Sequence, residues 1–95
     1  MRSVELEVVN KSGLHARPAS LLVETAAAFT SRITIENLTR GSRPVDAKSI
    51  LMLLTAGVQR GHRIRIGADG KDEERAIETL SGLVEGGLGE GAEPA

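Results

Sequence analysis

Seven consecutive residues near the start of the chain combine groups that could handle a phosphoryl group. They read Gly-Leu-His-Ala-Arg-Pro-Ala at positions 13–19. Pro18 suits the first turn of a helix, where its missing N–H costs nothing. We therefore expect His15 at or beside a helix N-cap, with Arg17 two residues further on in the same turn.

A histidine at a helix start has particular chemistry. The positive end of the helix dipole disfavours imidazolium, which leaves a neutral, nucleophilic ring. The free N–H groups of the first turn and the guanidinium of Arg17 suit a phosphoryl group. The stretch predicts a nucleophile that accepts phosphate together with donors that hold it. The alternative is a histidine whose ring only caps the helix, beside a solvated Arg17.

The periodicity of the remaining chain predicts the elements that position this stretch. Alternating residues predict strands at 3–9, 32–36, 42–46 and 62–66, and helical spacing predicts helices over 16–29, over 48–54 and from 72 onward. Pro44 lies within the third strand and cannot donate to a ladder, so that strand should lie at a sheet edge. The order β-α-β-β-α-β-α indicates an α+β fold, with a four-stranded antiparallel sheet and three helices on one face.

The outward faces of the first and fourth strands carry opposite charges. Glu5 and Glu7 alternate with apolar residues on the first strand, and Arg63 and Arg65 do so on the fourth. If the two strands are neighbours, these residues should face each other as cross-strand pairs.

Composition excludes several classes of protein. The 95 residues carry a net charge of −1, one Phe, no Trp, no Tyr and no Cys. A nucleic-acid surface, a disulfide framework and a thiolate metal site are therefore not expected. Neither a membrane span nor a signal peptide is evident, so we expect a cytoplasmic domain without a metal or cofactor. From Gly86 on the chain looks too polar to pack, and we expect a domain at 1–88 and a disordered tail at 89–95.

The run at 13–19 resembles the HPr family, the histidine-containing phosphocarriers of the bacterial sugar phosphotransferase system. The block Ala47-Lys48-Ser49-Ile50 falls at the family's regulatory serine, and the acidic lead into the last helix also fits. The resemblance covers about residues 3–88. It implies an open-faced β-sandwich whose first strand neighbours the fourth.

The same resemblance implies a function. His15 would take phosphate on Nδ1 from phospho-Enzyme I and pass it to a sugar-specific IIA domain. The chain would then be a carrier and not an enzyme, with Arg17 stabilising the phosphate. Two alternatives stay open: a small hydrolase of acyl phosphates, and a regulatory homologue such as a nitrogen-branch phosphocarrier.

Ser49 has two interpretations. It could simply cap the short helix, which is worth about 1 kcal/mol. It could also be a substrate of the HPr kinase/phosphorylase of some bacterial lineages. The sequence here is Ser-Ile-Leu-Met-Leu-Leu, whereas regulated members typically read Ser-Ile-Met-Gly-Val-Met. The position matches, and the departure at Leu51 leaves the regulation open.

The short helix carries more apolar residues than one face can bury. Leu53, with Met52 or Ile50, should join the core, whereas Leu51 and Leu54 should be exposed. In the family this patch lies beside the active histidine and docks both partners. Positive charge from Arg17, Lys48 and Lys11 should gather around His15. We expect a monomer that binds its partners through Ala16, Arg17, Ser20, Lys48, Ile50, Leu51 and Leu54.

We expect structural roles for two further polar residues. Ser12 could bond the ring or the phosphate, but a bond within its own turn is favoured. His62 is expected to be an exposed residue at a strand end.

Overall fold

A computed structural model describes residues 1–90. Its elements are β1 Arg2–Glu7, α1 Ala16–Ala27, β2 Arg32–Asn37, β3 Val45–Asp46, α2 Ile50–Thr55, β4 Arg63–Asp69 and α3 Glu73–Glu85. The four strands form one sheet in the order β1-β4-β2-β3, and every neighbouring pair is antiparallel. The predicted α+β fold, its element order and the pairing of the first strand with the fourth are confirmed.

One face of the sheet forms one side of the core. Successive side chains of a strand point to opposite faces, so the alternating apolar residues gather on one side. Leu6, Ile33, Ile35, Ile64 and Ile66 are buried there. The three helices cover this face with their own apolar stripes, whose buried members include Leu22, Ala26, Leu53, Leu80 and Val84.

The opposite face of the sheet carries the predicted cross-strand charges. Glu5 pairs in register with Arg65, and Glu7 with Arg63. The Arg65 guanidinium reaches Glu5 on one side and Glu36 of β2 on the other, with both N···O distances 3.0 Å. These contacts raise the pKa of Arg65, first through the hydrogen bond to Glu5. The predicted pairing of β1 with β4 through these residues is confirmed.

The third strand is shorter than predicted. It holds only Val45 and Asp46, and the expectation of a strand over 42–46 is wrong in length. Ser42 instead turns back on Asn37: its N–H donates to the Asn37 carbonyl, and its Oγ accepts from the Asn37 N–H. Pro44 has no N–H to extend the ladder. The predicted edge position of this strand is confirmed.

Other boundaries shift by a few residues. The first strand ends at Glu7 and not at 9, and α1 ends at Ala27 because the N–H groups of Ala28 and Phe29 bond three residues back. The fourth strand runs on to Asp69. The short helix begins after Ser49, which caps it as expected.

The segment after α3 packs against the domain, contrary to expectation. Leu88 is 1 % exposed, and its N–H donates to the carbonyl of Leu83 at 3.0 Å. The expectation that the chain does not pack from Gly86 on is therefore wrong up to Glu90, whose side chain is also bonded. Burial of Leu88 and the hydrogen bonds of Glu90 together hold this polar segment. The rest of the predicted tail, 91–95, lies outside the described residues.

Asp72 joins the two turns at one end of the sheet. Its carboxylate accepts from the N–H of Thr30 and of Ser31, both at 2.9 Å, and from the Ser31 hydroxyl. The hydrogen bond from Ser31, followed by the one from Thr30, lowers the pKa of Asp72 to about 2. Asp72 precedes α3, yet its side chain does not cap that helix.

Asp72→Asn should lower stability in a pH-dependent way. The folded pKa of about 2 lies below the ordinary 3.8, so the contribution is full above pH 3.8 and is lost as pH falls towards 2. Urea midpoints of the variant should therefore fall below wild type at pH 7 and converge with it near pH 2. Glu78→Gln, on the exposed face of α3, is the matched control. If the difference between the urea midpoints of Asp72→Asn and wild type stays constant from pH 7 to pH 2, the stabilising role of the Asp72 carboxylate is wrong.

Candidate functional site

The loop before His15 is held by backbone contacts. The Gly13 N–H donates to the carbonyl of Asn10, and the Leu14 N–H donates to that of Val58 at 3.0 Å. Gly13 has φ +59°, and a Cβ there would lie 2.5 Å from the Val58 oxygen. Only glycine fits such a close approach. With Leu14 fully buried, the loop is fixed against the segment that follows α2.

His15 stands at the predicted N-cap with its ring free. Its backbone is extended, with φ −130° and ψ 160°, and its carbonyl accepts from Ala19. The side chain makes no capping hydrogen bond, and the residue is exposed. The interpretation of His15 as a mere cap is therefore contradicted.

The first turn of α1 offers unpaired donors beside this ring. Pro18 has no N–H, and within residues 1–90 the N–H groups of Ala16 and Arg17 have no backbone partner. Such groups at a helix start bind anions. Arg17 is exposed, and no carboxylate among the described residues lies within ion-pair distance of it. An anion at His15 could thus meet two N–H groups and one guanidinium.

Ala16 has an unusual backbone. Its φ of +51° lies in the left-handed region, which costs a residue with a Cβ about 1–2 kcal/mol. Leu14 on one side and Pro18 and Ala19 on the other are buried. These anchors hold Ala16 in its conformation, with His15 and Arg17 exposed on either side of it.

The loop also bonds to a residue far along the chain. The Glu90 carboxylate accepts from the N–H and the hydroxyl of Ser12 and from the side-chain amide of Asn10. These hydrogen bonds, the one from Asn10 first, lower the pKa of Glu90. The Ser12 hydroxyl therefore bonds neither the His15 ring nor a group of its own turn, contrary to expectation. No local pattern links residues so far apart, and the sequence did not reveal either Asn10 or Glu90.

The second helix exposes the predicted apolar residues. Leu51 is 72 % exposed, and Ile50, Met52 and Leu54 are also exposed; we call these four residues the α2 patch. Leu53 alone of this helix is fully buried, as expected, whereas neither Met52 nor Ile50 joins the core. Such a cluster is typical of an interaction surface.

Two contacts fix how α2 lies on α1. Lys48, just before α2, donates to the carbonyl of Phe29, just after α1, at 2.6 Å. Val58, just after α2, bonds Leu14, just before α1. The helices are therefore antiparallel, so that Leu54 lies towards His15 and Ser49 lies towards the far end of α1.

Lys48 does not contribute charge beside His15. Its ammonium satisfies a carbonyl left unpaired at the end of α1, and the residue is half-buried there. The expectation that Lys48 joins Arg17 and Lys11 around His15 is wrong. Lys11 and Ser20, in contrast, are exposed on the loop and on α1.

Ser49 and His62 have structural partners. Ser49 Oγ accepts from the Met52 N–H at 3.3 Å, which confirms the predicted cap. His62 is half-buried and not exposed as expected, and its Nδ1 lies 3.2 Å from the N–H of Gln59 and 3.1 Å from the amide of Asn37. Because both neighbours are donors, Nδ1 of His62 acts as an acceptor.

Neither a metal cluster nor a membrane helix is found between residues 1 and 90. No three or more His, Cys, Asp or Glu side chains in this range are placed to hold an ion. None of its helices is long and apolar enough to cross a bilayer.

A family model described as "PTS HPr component phosphorylation site" matches residues 2–86 of this chain. The chain belongs to the HPr family. This finding confirms the predicted family and its phosphocarrier class in the phosphotransferase system.

Known proteins of different lengths share the HPr sequence. A multiphosphoryl transfer protein of Haemophilus influenzae is 49 % identical over 81 residues, which are 85 % of this chain and 16 % of that protein. The phosphocarrier protein HPr of the same organism is 40 % identical over 84 residues, or 88 % of this chain and 95 % of that protein. The HPr sequence thus occurs both as a small protein and as part of a much longer one.

A solved HPr structure has the same fold. The crystal structure of HPr-C-His from Thermoanaerobacter tengcongensis has a TM-score of 0.88 and 44 % identity, and the match covers 95 % of this chain and 98 % of that one. The predicted open-faced sandwich is confirmed.

Relief of the strain at Ala16 should stabilise this HPr domain. Ala16→Gly removes a cost of about 1–2 kcal/mol and adds an entropic cost of about 0.5–1 kcal/mol. The free energy of unfolding in urea should therefore rise by up to about 1.5 kcal/mol. Ala27→Gly, an exposed position with ordinary φ on the same helix, should lower it by about 0.5–1 kcal/mol. Destabilisation by both variants would show that Ala16 is unstrained.

Proposed function

We propose that this chain accepts a phosphoryl group on Nδ1 of His15 from phospho-Enzyme I and donates it to sugar-specific IIA domains. The observation that carries the proposal is the exposed His15 ring, which makes no capping bond at the start of a helix. An imidazole ring that makes no structural hydrogen bond is available to act as a nucleophile.

The transfer needs little from the protein beyond position and charge. As the bond from phosphorus to Nδ1 of His15 forms, the donor's bond to phosphorus breaks, and the donor keeps the electron pair. The phosphoryl oxygens carry negative charge throughout, and Arg17 with the first-turn N–H groups would stabilise it. Passing the group to a IIA domain reverses these steps, so no water or cofactor takes part.

Both partners would dock on the surface around His15. The α2 patch supplies exposed apolar area, and Ile50, Leu51 and Leu54 are its members that we expect to bind, together with Ala16, Arg17 and Ser20 of α1. Arg17 and Lys11 add positive charge, which would attract acidic side chains of a partner. Lys48 would contact a partner only at the far end of α1.

A hydrolase of acyl phosphates is less well supported. A hydrolase needs a group that positions a water molecule. The carboxylate that the fold brings to the loop before His15 is Glu90, and donors from Ser12 and Asn10 already occupy both of its oxygens. A carboxylate that already accepts three hydrogen bonds favours the carrier over the hydrolase. A nitrogen-branch carrier would share this chemistry and differ only in its partners.

We further propose that the chain works in the cytoplasm as a monomer and without a metal or cofactor. The small charge of −1 and the absence of cysteine are consistent with this setting. Sedimentation of the purified chain would test the monomer.

Incubation with phosphoenolpyruvate and Enzyme I should add one acid-labile phosphate per wild-type chain. His15→Ala should take up none, while its free energy of unfolding stays within about 1 kcal/mol of wild type, because the ring is exposed and makes no cap. Intact mass and urea unfolding measure the two results. His62→Gln, at the chain's other histidine, should still take up phosphate. Uptake by His15→Ala, or steady release of inorganic phosphate by wild type, would overturn the proposal.

We also propose that Ser49 is a site of regulatory phosphorylation. A phosphate there adds about −1.5 to −2 charges at a helix N-terminus, which the helix tolerates. The phosphate would repel the acidic side chains of a partner that docks on the α2 patch, and so weaken its binding.

Ser49→Asp should fold normally and accept phosphate from Enzyme I with a KM raised at least about threefold at low salt. Ser49→Asn is the matched control, since it keeps a good N-cap without the charge. Initial rates at several carrier concentrations measure the effect. Equal KM values for the two variants would show that charge at Ser49 does not control docking.

A further inference from the structure

The C-terminal segment ends in a set of hydrogen bonds to the loop that leads to His15. Glu90 Oε1 accepts from the Ser12 N–H and from Asn10 Nδ2, both at 3.0 Å, and Oε2 accepts from the Ser12 hydroxyl at 2.7 Å. We call these three bonds the Glu90 latch.

A turn after α3 brings Glu90 next to the loop that precedes His15. Gly87 and Gly89 have φ of +88° and +85°, and Leu88 between them has φ +53°. Leu88 is buried, and a Cβ on Gly89 would touch Leu21 of α1. The Glu90 N–H donates to the Gly87 carbonyl at 2.9 Å. The segment is therefore anchored by Leu88 before it reaches the loop.

Asn10 connects the latch to the backbone before His15. It is fully buried, and its Nδ2 donates to Glu90 and also to the Gly13 carbonyl at 2.9 Å. One amide group thus links the carboxylate to the residue that packs on Val58. The loop is held from two sides: by Val58 through Gly13 and Leu14, and by Glu90 through Asn10 and Ser12.

We propose that Glu90 is a positioning residue that holds the Asn10–Gly13 loop so that His15 presents its ring in the geometry for phosphoryl transfer. The proposal rests on the proposed function of His15. Leu88 already anchors the segment by burial, so the latch adds order where the chain is exposed. Small displacements of a reacting group cost large factors in rate, and a fixed loop prevents them.

The test compares three variants in transfer from Enzyme I. Glu90→Ala removes the latch and should lower kcat by about threefold to tenfold with KM unchanged. Glu90→Gln should restore kcat to within about twofold, because its Oε1 can accept from Ser12 and Asn10 while its Nε2 donates to the Ser12 hydroxyl. Glu85→Ala, an exposed carboxylate at the end of α3, should match wild type.

Amide spectra of the same proteins report the latch without any transfer. The Ser12 backbone resonance and the Asn10 side-chain resonances should move in Glu90→Ala and stay near their positions in Glu85→Ala. If the Ser12 and Asn10 resonances do not move in Glu90→Ala, the Glu90 latch does not form.

The outcomes separate the two proposals. If wild type accepts phosphate on His15 and Glu90→Ala is equally fast, the positioning role is wrong and the carrier function stands. A kcat loss that Glu90→Gln does not rescue also overturns the role. If wild type accepts no phosphate, the function itself fails and the positioning role fails with it, even where the spectra show the latch.

Discussion

The close contact between Gly13-Leu14 and Val58 is the constraint on which the rest of the site depends. It joins backbone to backbone, because the Leu14 N–H bonds the Val58 carbonyl and Gly13 leaves no room for a Cβ. It sets where α1 begins and, at the same time, where α2 ends. The ring of His15 and the α2 patch therefore belong to one surface, although they lie far apart in the chain. A larger residue at Gly13 would separate them.

The site is locally unfavourable in two respects. Ala16 occupies a left-handed backbone conformation, and the α2 patch leaves large apolar side chains in water. The domain tolerates both because its stability comes from elsewhere, chiefly from the sheet core and from turns such as the one that Asp72 holds. Rigid elements on one side of the molecule thus support an exposed surface on the other.

The sequence predicted the features that depend on local pattern. Alternation located the strands and the outward faces that carry Glu5 and Arg65, and Pro18 located the start of α1. That the first strand neighbours the fourth came from the family resemblance. Patterns could not locate contacts between distant segments. The sequence placed the charge of Lys48 beside His15, whereas the structure places it at the end of α1, and Glu90 lies in a stretch that looks too polar to pack. The strain at Ala16 also escapes a sequence pattern, since alanine is an ordinary helix residue and only packing on both sides imposes its φ.

Because α1 and α2 are antiparallel, Ser49 and His15 lie at opposite ends of the surface that the two helices form. The six residues of α2, which lie between the two positions along the surface, span about 9 Å, close to the distance of about 8 Å over which physiological salt screens exposed charges. Salt therefore weakens the direct influence of a charge at one position on the other. Stronger coupling between them requires a third molecule that touches both ends of the surface. By thermodynamic reciprocity, a modification that weakens the binding of such a molecule would itself be disfavoured while that molecule is bound.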